Sequence, residues 1–139
     1  MLRDGYVVNI IEDIGIDYQQ YRPVIGYING EYWGIYNMRE KISEHFISSH
    51  HDVPTNHIDL LAYNGGFEYN LETIHGSKND FLNLIQYVSS NDVSKPNIYA
   101  TINDWMDIEG YIKYHVVQRF IDNRDWPGNN VKLWRDNRE

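Results

Sequence analysis

The stretch PVIGYINGEYWGIYNM, residues 23–38, gives the clearest indication of the fold. It consists of two runs rich in β-branched and aromatic residues, with Asn29-Gly30 between them. Asn-Gly in this position favours a type I′ turn, because both central residues of that turn need a positive φ. The stretch therefore predicts an antiparallel hairpin with strands over 23–28 and 31–38.

Helical patterns lie on both sides of this hairpin. Apolar residues recur at helical spacing over residues 2–14, and Gly15 follows as a stop signal. After the hairpin, Ser43 is placed to cap a second helix, which is expected to fray in its polar end and to stop near Pro54. The hairpin is thus expected to lie between two helices along the chain.

Further strand signals occur in the rest of the chain. Residues 58–63 indicate a short strand that is closed by an Asn-Gly-Gly turn. Residues 67–76 suit either an irregular segment or a second short strand. The alternation of apolar and polar residues over 131–134 predicts a final strand.

Three more helices are predicted between these strands. Ser77 with Asp80 three residues later resembles a capping box that opens the first of them. A short helix follows Pro96, and either Asp104 or Asp107 caps a longer one with an apolar i, i+3, i+4 pattern, which we expect to be buried. The predicted fold class is α+β, mostly helical with a prominent antiparallel hairpin.

The charge and composition of the chain exclude several function classes. The 139 residues carry 12 Lys+Arg against 20 Asp+Glu, a net charge of −8, and no Cys. An acidic chain without a basic cluster lacks the charge that binds phosphate backbones, so nucleic acid is not an expected partner. The lack of Cys excludes disulfides and Cys-based metal sites. No stretch approaches the roughly 18 apolar residues of a membrane span, so no transmembrane segment is expected. Compartment and oligomeric state stay open.

The segment NRDWPGNN, residues 123–130, is the strongest candidate for chemistry. It resembles the catalytic loop of protein kinases, H-R-D-x-x-x-x-N, with Asn123 in the His position. Arg124, Asp125 and Asn130 have the matching spacing. In phosphoryl transfer the Asp accepts or orients the proton of the attacking hydroxyl, and the Asn oxygen binds magnesium. The same residues also suit a structural turn in which Asp caps the backbone and Pro-Gly sets the dihedrals.

Other candidate sites are weaker. The His residues within 45–51 do not share a helix face, so a metal site is not favoured there. His115 lies on the apolar side of its predicted helix and is expected to be a hydrogen-bonded core residue. The acids within 104–109 suit a glycosidase pair, but they are better explained as N-cap and first-turn residues.

Two segments together resemble the CotH kinase family, the atypical protein kinases related to spore coat protein CotH. The first is NGEYWGIYNMREKI, residues 29–42, in which an N-G-E-Y-x-G-x-Y core leads into R-E-K-I. The second is residues 123–130, which match the family's N-x-D-W-P-x-N-N loop and are followed by K-L-W-R at 132–135. Both segments occur in the family's order, and Leu-Arg-Asp at 2–4 fits the helix that precedes the hairpin. The resemblance extends over most of the chain.

This resemblance implies an atypical protein-kinase-like fold that transfers the γ-phosphate of ATP to Ser or Thr hydroxyls of proteins, with Mg²⁺ as cofactor. It also implies a secreted protein or one associated with spores and cell surfaces. Asp125 matches the catalytic Asp, with Arg124 beside it. Asn130 matches the Asn that holds magnesium, and Asn129 is its neighbour in that role.

The residues after the hairpin and the missing parts of the pattern qualify this assignment. Arg39 and Glu40 match the family's R-E, which implies a role near the nucleotide or in an ion pair, although a solvated strand end explains them equally well. Neither an upstream phosphate-binding Lys nor the D-x-D that follows Trp-Arg in the family is found. We therefore expect residues 1–139 to be an interior part of a kinase domain, inactive or nearly so by itself.

The alternative hypothesis is a non-catalytic binding or scaffold module for a coat, cell-surface or polysaccharide partner. Tyr32, Trp33 and Tyr36 are of the type that stacks on sugars, although strand alternation is expected to place at least half of them in the core.

Overall fold

The structure, a computed structural model, describes residues 2–65 and 70–138 and divides the chain into two units, Met1–Ile42 and Ser43–Glu139. The first unit contains α1 (Leu2–Ile11), β1 (Tyr21–Ile28) and β2 (Glu31–Arg39). The second unit contains α2 (Glu44–His51), a 3₁₀ turn (Thr55–His57), β3 (Ile58–Tyr63), β4 (Leu71–His75), α3 (Asn79–Ser90), α4 (Pro96–Trp105), α5 (Ile108–Phe120) and β5 (Val131–Asp136).

The predicted hairpin is confirmed and is longer than expected. Asn29 and Gly30 have φ values of 52° and 84°, so the turn has the two positive φ angles of a type I′ turn. The strands pair antiparallel in a register that a bulge interrupts after Gly26. Gly26 leaves room there for Tyr36, because a Cβ atom at this position would lie 2.8 Å from the Tyr36 ring and the ring would have to shift. The cross-strand tyrosine is thus packed on the glycine backbone.

The burial predicted for the hairpin is wrong. Tyr32 and Trp33 are each 62% exposed, and Tyr36 is also exposed. Large apolar side chains of β1, such as Ile25 and Tyr27, are exposed as well. Alternation decides which side chains share a face of a strand, but a face is buried only if another element covers it.

The first helix is shorter than predicted. It ends at Ile11, and turns continue to Gly15, which has a φ of 77°. The stop signal at Gly15 is therefore correct for the end of the turns, while the helix itself ends one turn earlier.

A three-stranded antiparallel sheet organises the second unit. Its strand order is β4-β3-β5, so β3 is central and pairs on both sides. Within the segment 67–76, predicted to be irregular or a strand, β4 forms and pairs with β3, while residues 67–69 lie outside the described residues.

The core of the second unit lies around β3. Ile58 and Leu60 of this strand are fully buried, as is Ile47 of α2. Contacts join α2 and β3 directly. The continuous apolar run of β3 is thus explained by neighbours on both of its edges and by a helix that packs on it.

The helix starts explain two further outcomes. Ser43 is the N-cap of α2, but its side chain makes no capping bond, and the helix continues to His51 instead of fraying. The predicted capping box at Ser77 does not form. The Ser77 N–H donates to Asp59 Oδ1 at 2.8 Å, and Asp80 forms an ion pair with Arg135 at 3.3 Å. Ser77 Oγ still accepts a local hydrogen bond from the Asn79 N–H at 3.1 Å, so tertiary partners replace only the bonds of the box itself.

Asp107, and not Asp104, caps α5, because its side chain accepts a hydrogen bond from the Gly110 N–H at 2.9 Å. Val117 is buried in this helix, whereas Val116 and Phe120 are 60% and 73% exposed. The expectation that α5 is buried is therefore wrong, since the apolar pattern marks a face without supplying its partner.

Helices make up 41% and strands 26% of the residues that the structure describes, which confirms the α+β class. No helix within residues 2–65 and 70–138 is long and apolar enough to cross a membrane.

Candidate active site

The loop between α5 and β5 carries the kinase-like motif. Asp122 and Asn130, at its two ends, adopt left-handed conformations with φ values of 50° and 59°. Asp and Asn adopt this region more readily than other non-glycine residues. The loop enters from the last turn of α5 and leaves directly into β5, whose strand pairing with β3 fixes its exit. Two regular elements therefore fix the ends of the motif.

Asn123 ties the start of the loop to α5. Its backbone N–H donates to the Gln118 carbonyl at 3.1 Å, and its Nδ2 donates to Gln118 Oε1 at 2.6 Å. Its own Oδ1 accepts a hydrogen bond from the Asp125 N–H at 3.2 Å, as in an Asx turn. An Asx turn is thus present, but the Asn123 side chain makes it, whereas the sequence offered Asp125 as the capping residue.

The predicted site residues of the loop are all exposed to solvent. Arg124 pairs with Asp122 through an Nε to Oδ2 distance of 3.2 Å. Asp125 follows directly, and Asn129 and Asn130 lie at the far end of the same loop. The structure therefore places these four predicted residues on one short surface segment.

Trp126 packs the middle of the loop on α5. Its ring is edge-on to His115, at a centroid distance of 4.7 Å and an interplanar angle of 89°. Tyr114 lies edge-on at 6.4 Å, and the Arg119 guanidinium carbon lies 5.9 Å from the Trp126 ring centroid. Burial raises the pKa of Tyr114 above its ordinary value of 10.0. His115, predicted as a hydrogen-bonded core residue, is half-buried between Trp126 and the ring of Tyr111, 4.1 Å away.

The turn after β3 touches the loop from another side. A Cβ atom on Gly65 would collide with the backbone of Gly128, including its carbonyl oxygen. Only glycine at position 65 allows this approach. The backbone of the loop is therefore in contact with the segment that follows β3, three residues after Asp125.

Arg39 and Glu40 lie in the first unit, at and just after the end of β2. The Glu40 carboxylate accepts a hydrogen bond from the Gln20 N–H at 2.9 Å, and the Glu40 N–H donates to the Gln20 carbonyl at 3.2 Å. Gln19 also donates to the Glu40 carbonyl. Glu40 is thus engaged in closing the base of the hairpin, whereas Arg39 is exposed.

A buried carboxylate in the second unit escaped sequence reasoning. Asp59 is 5% exposed, accepts from the Ser77 N–H, and lies 3.9 Å from Arg135. Asn137 donates to the same Oδ1 at 3.4 Å, and Gly76 (φ 71°) leaves the space that this oxygen occupies. The sequence feature that could have indicated this buried carboxylate is a single charged residue inside the apolar run of 58–62. The contacts hold β5 and the start of α3 on β3, which is a structural role.

The donor set of the loop suits magnesium bound together with a nucleotide. Asp125, Asn129 and Asn130 offer carboxylate and amide oxygens, which are hard ligands. Mg²⁺ commonly takes one or two carboxylates from the protein and completes its shell with water and substrate phosphates. Within the described ranges no group of three or more His, Cys, Asp or Glu is placed to hold a metal by itself. The residues present fit a shared site rather than an all-protein cage.

Comparison with known proteins gives a match over the full length of the chain. The family model described as CotH kinase protein matches residues 1–139. No curated protein and no solved structure matches the chain.

Proposed function

This chain belongs to the family of CotH kinase proteins, and on that premise we propose that it carries the catalytic loop of an ATP-dependent kinase that phosphorylates Ser or Thr hydroxyls of proteins. The observation that carries the proposal is the presentation of Asp125. It is exposed on a loop whose start, middle and end contact α5 and the sheet. A protein hydroxyl can reach such a side chain, while the loop backbone is held in place.

Asp125 acts as the general base in this proposal. Its carboxylate accepts or orients the proton of the attacking Ser or Thr hydroxyl, so that the oxygen attacks the γ-phosphorus in line with the leaving ADP oxygen. A general base contributes about 10² to 10⁴ in rate. The exposed guanidinium of Arg124, oriented by Asp122, adds positive charge close to the transferred phosphoryl group.

Asn130 and Asn129 are proposed to bind Mg²⁺ through their amide oxygens. When bound, the metal supplies the positive charge that neutralises the nucleotide phosphates. The left-handed backbone of Asn130 gives this residue a structural reason to be Asn as well. The metal and backbone roles predict different mutant behaviour.

Variants of Asn130 separate these two roles. Asn130→Gly keeps the φ of 59° accessible and removes the oxygen, whereas Asn130→Asp keeps both an oxygen ligand and the tendency to adopt this conformation. We expect Asn130→Gly to raise the Mg²⁺ concentration needed for half-maximal phosphotransfer and Asn130→Asp to raise it less. Equal Mg²⁺ dependence in both variants would limit Asn130 to the backbone role.

We propose for Arg39, an exposed cation, the role near the nucleotide that the family resemblance implies. The Glu40 carboxylate accepts a hydrogen bond from the Gln20 N–H, so a part of its role lies in the hairpin. Arg39→Gln should raise the KM for ATP, and Glu40→Gln should act mainly on the stability of the hairpin.

The decisive assay is phosphotransfer from ATP by the complete gene product, with autophosphorylation and a generic protein substrate as readouts. Asp125→Asn should lower kcat by about 10² to 10⁴. Asp104→Asn, the same exchange at an exposed position of α4, is the matched control and should leave kcat unchanged. A complete gene product without Asp125-dependent turnover would contradict the kinase proposal.

The 139-residue chain should be assayed in parallel. No residue in it is assigned as the phosphate-binding Lys or as the second metal ligand, and most of the acceleration in phosphoryl transfer depends on such charges. We therefore expect little or no turnover by this chain. Robust Asp125-dependent turnover would show that the chain contains a complete phosphate-binding site.

A binding function is the second candidate, because the hairpin exposes several large aromatic side chains. Tyr27 and Tyr32 form an edge-to-face pair at 6.2 Å, and Trp33 is next to them in sequence. Exposed aromatic rings of this kind can stack on sugars. Titration with soluble cell-wall polysaccharide should then show binding that Trp33→Ala removes and Trp105→Ala, at a similarly exposed indole of α4, does not.

A further inference from the structure

Trp126 is placed to act on Asp125 without touching a substrate. The two residues are adjacent in the chain, and the Trp126 ring is directed onto α5 while Asp125 is exposed. The backbone N–H of Trp126 also donates to the Asn123 carbonyl at 3.3 Å, which closes the turn around Asp125. The position of Trp126 therefore limits the conformations that Asp125 can adopt.

The surface that receives Trp126 is itself ordered. His115 stacks on Tyr111, one helical turn earlier, and contacts Tyr114 edge-on at 6.0 Å. These residues lie on α5 between its Asp107 cap and the buried Val117. A regular helix with a defined cap is a more rigid support than a surface loop.

The residues proposed to act in phosphotransfer are all polar, and none of these aromatic contacts has a role among them. We propose that Trp126, seated on His115 and Tyr114 of α5, is a positioning residue that holds the Asp125 carboxylate where the acceptor hydroxyl must lie. This inference rests on the proposed function. It assigns Trp126 and His115 to the reaction through Asp125, and neither is a catalytic residue in itself.

A purely structural role would have other consequences. Loss of a packing contact lowers the unfolding midpoint whatever the residue does in catalysis. Loss of a positioning contact lowers kcat in the folded protein and leaves ATP binding unchanged, because a displacement of about 1 Å at the reacting centre can cost about 10²-fold in rate. The split between kcat and KM therefore separates the two roles.

The chain offers a matched control in a second His–Trp pair. His51 of α2 contacts Trp134 of β5 at a centroid distance of 4.5 Å. This pair lies in the same unit and belongs to no part of the loop 123–130. His51→Ala removes the same imidazole–indole contact as His115→Ala, but at a different indole.

The experiment compares Trp126→Ala, Trp126→Phe, His115→Ala and His51→Ala in the complete gene product. At a temperature where all are folded by circular dichroism, Trp126→Ala and His115→Ala should lower kcat about 10- to 100-fold, with the KM for ATP within about twofold. Trp126→Phe, which keeps a ring on α5, and His51→Ala should stay within about threefold of the parent in kcat. An unchanged kcat in Trp126→Ala, or an equal loss in His51→Ala, would overturn the proposal.

A second readout does not depend on activity. In ¹⁵N-aspartate-labelled complete gene product, His115→Ala removes the support of Trp126 without changing a sequence neighbour of Asp125, and it should shift or broaden the amide resonance of Asp125. His51→Ala should leave that resonance in place. If the parent shows no Asp125-dependent phosphotransfer, the kinase function fails, and this resonance still decides whether Trp126 positions the Asp125 loop. An unmoved Asp125 resonance in His115→Ala would overturn the positioning role in either case.

Discussion

The two sheets of this protein differ in what specifies them. The β1–β2 hairpin has a turn that a dipeptide encodes, yet both of its strands expose large apolar side chains such as Ile25 and Ile35. Strand β3 was also indicated by its own apolar run, but that run does not specify its partners; the strand pairs on both edges and its Leu60 is fully buried. In the hairpin, the local conformation of the turn sets the pairing register of the two strands. In the second sheet, the position of β3 is set by the strands that pair with it.

The largest effect should come from the centre of the second sheet. Leu60→Ala removes a fully buried side chain and should lower the free energy of unfolding of the second unit by about 2–5 kcal/mol. Ile35→Ala, at a side chain of the hairpin that is 52% exposed, should change the free energy of unfolding of the first unit by about 0.5 kcal/mol or less. Urea unfolding followed by hydrogen exchange measures both effects, through the β3 amides for Leu60→Ala and the β1 and β2 amides for Ile35→Ala. Equal effects would contradict the distinction between the sheets.

The same distinction explains what could be predicted from sequence. The hairpin was predictable because Asn29 and Gly30 determine their own conformation, whatever surrounds them. Strand β4 was left open between a strand and an irregular segment, because Leu71–His75 forms a strand by pairing with β3 and its own residues do not specify that pairing. Burial was predicted wrongly for Trp33 and for α5, since the pattern of one element contains no information about its neighbours.

The candidate site also combines features that the local sequence specifies with features that depend on other parts of the fold. The spacing of Arg124, Asp125 and Asn130 is a local property that the sequence displays directly. The supports of the loop are not local: His115 lies one helix earlier, and Gly65 follows β3. Sequence reasoning therefore found the residues that carry charge and missed those that hold them in place.

The next effect concerns the charged group inside the second sheet. Asp59→Asn keeps the shape of the side chain but removes the charge that faces Arg135 and weakens acceptance from the Ser77 N–H. We expect a loss of about 1–3 kcal/mol in unfolding free energy. Asp80→Asn, at the exposed partner of the same Arg135, should cost about 1 kcal/mol or less. A larger loss at Asp80 than at Asp59 would show that burial does not set the strength of this network.

A smaller effect should test the local origin of the hairpin. Gly30 has a φ of 84°, and a Cβ atom at this position would meet no other atom within 4 Å, so Gly30→Ala introduces backbone strain without a clash. The expected cost is about 1–2 kcal/mol, confined to the hairpin. Gly30→Asn should cost less, because Asn tolerates this conformation better. Hydrogen exchange of the β1 and β2 amides should accelerate in Gly30→Ala while that of β3 stays unchanged; accelerated exchange in β3 would contradict a locally specified hairpin.

The smallest effect belongs to Asp136, at the end of β5 and thus in the same sheet as Asp59. The Arg138 Nε donates to both Asp136 carboxylate oxygens, at 2.9 and 3.0 Å, and this hydrogen bonding lowers the pKa of Asp136 below its ordinary value of 3.8. A pKa that is lower in the folded state stabilises the protein above the unfolded-state pKa, and this stabilisation is lost as the pH falls through the folded-state pKa.

Asp136→Asn should therefore lower the urea midpoint slightly at pH 7, and the difference from the parent should vanish as the pH is lowered well below 3.8. In an Arg138→Gln background the same exchange should have almost no effect at either pH, because the partner of the carboxylate is absent. A difference that persists in acid, or in that background, would assign the effect of Asp136 to packing in the sheet. The stability effect of Asp136 would then come from packing, as that of Leu60 does, and not from its ion pair with Arg138. The central strand and the edge strand of this sheet would then not differ in what stabilises them.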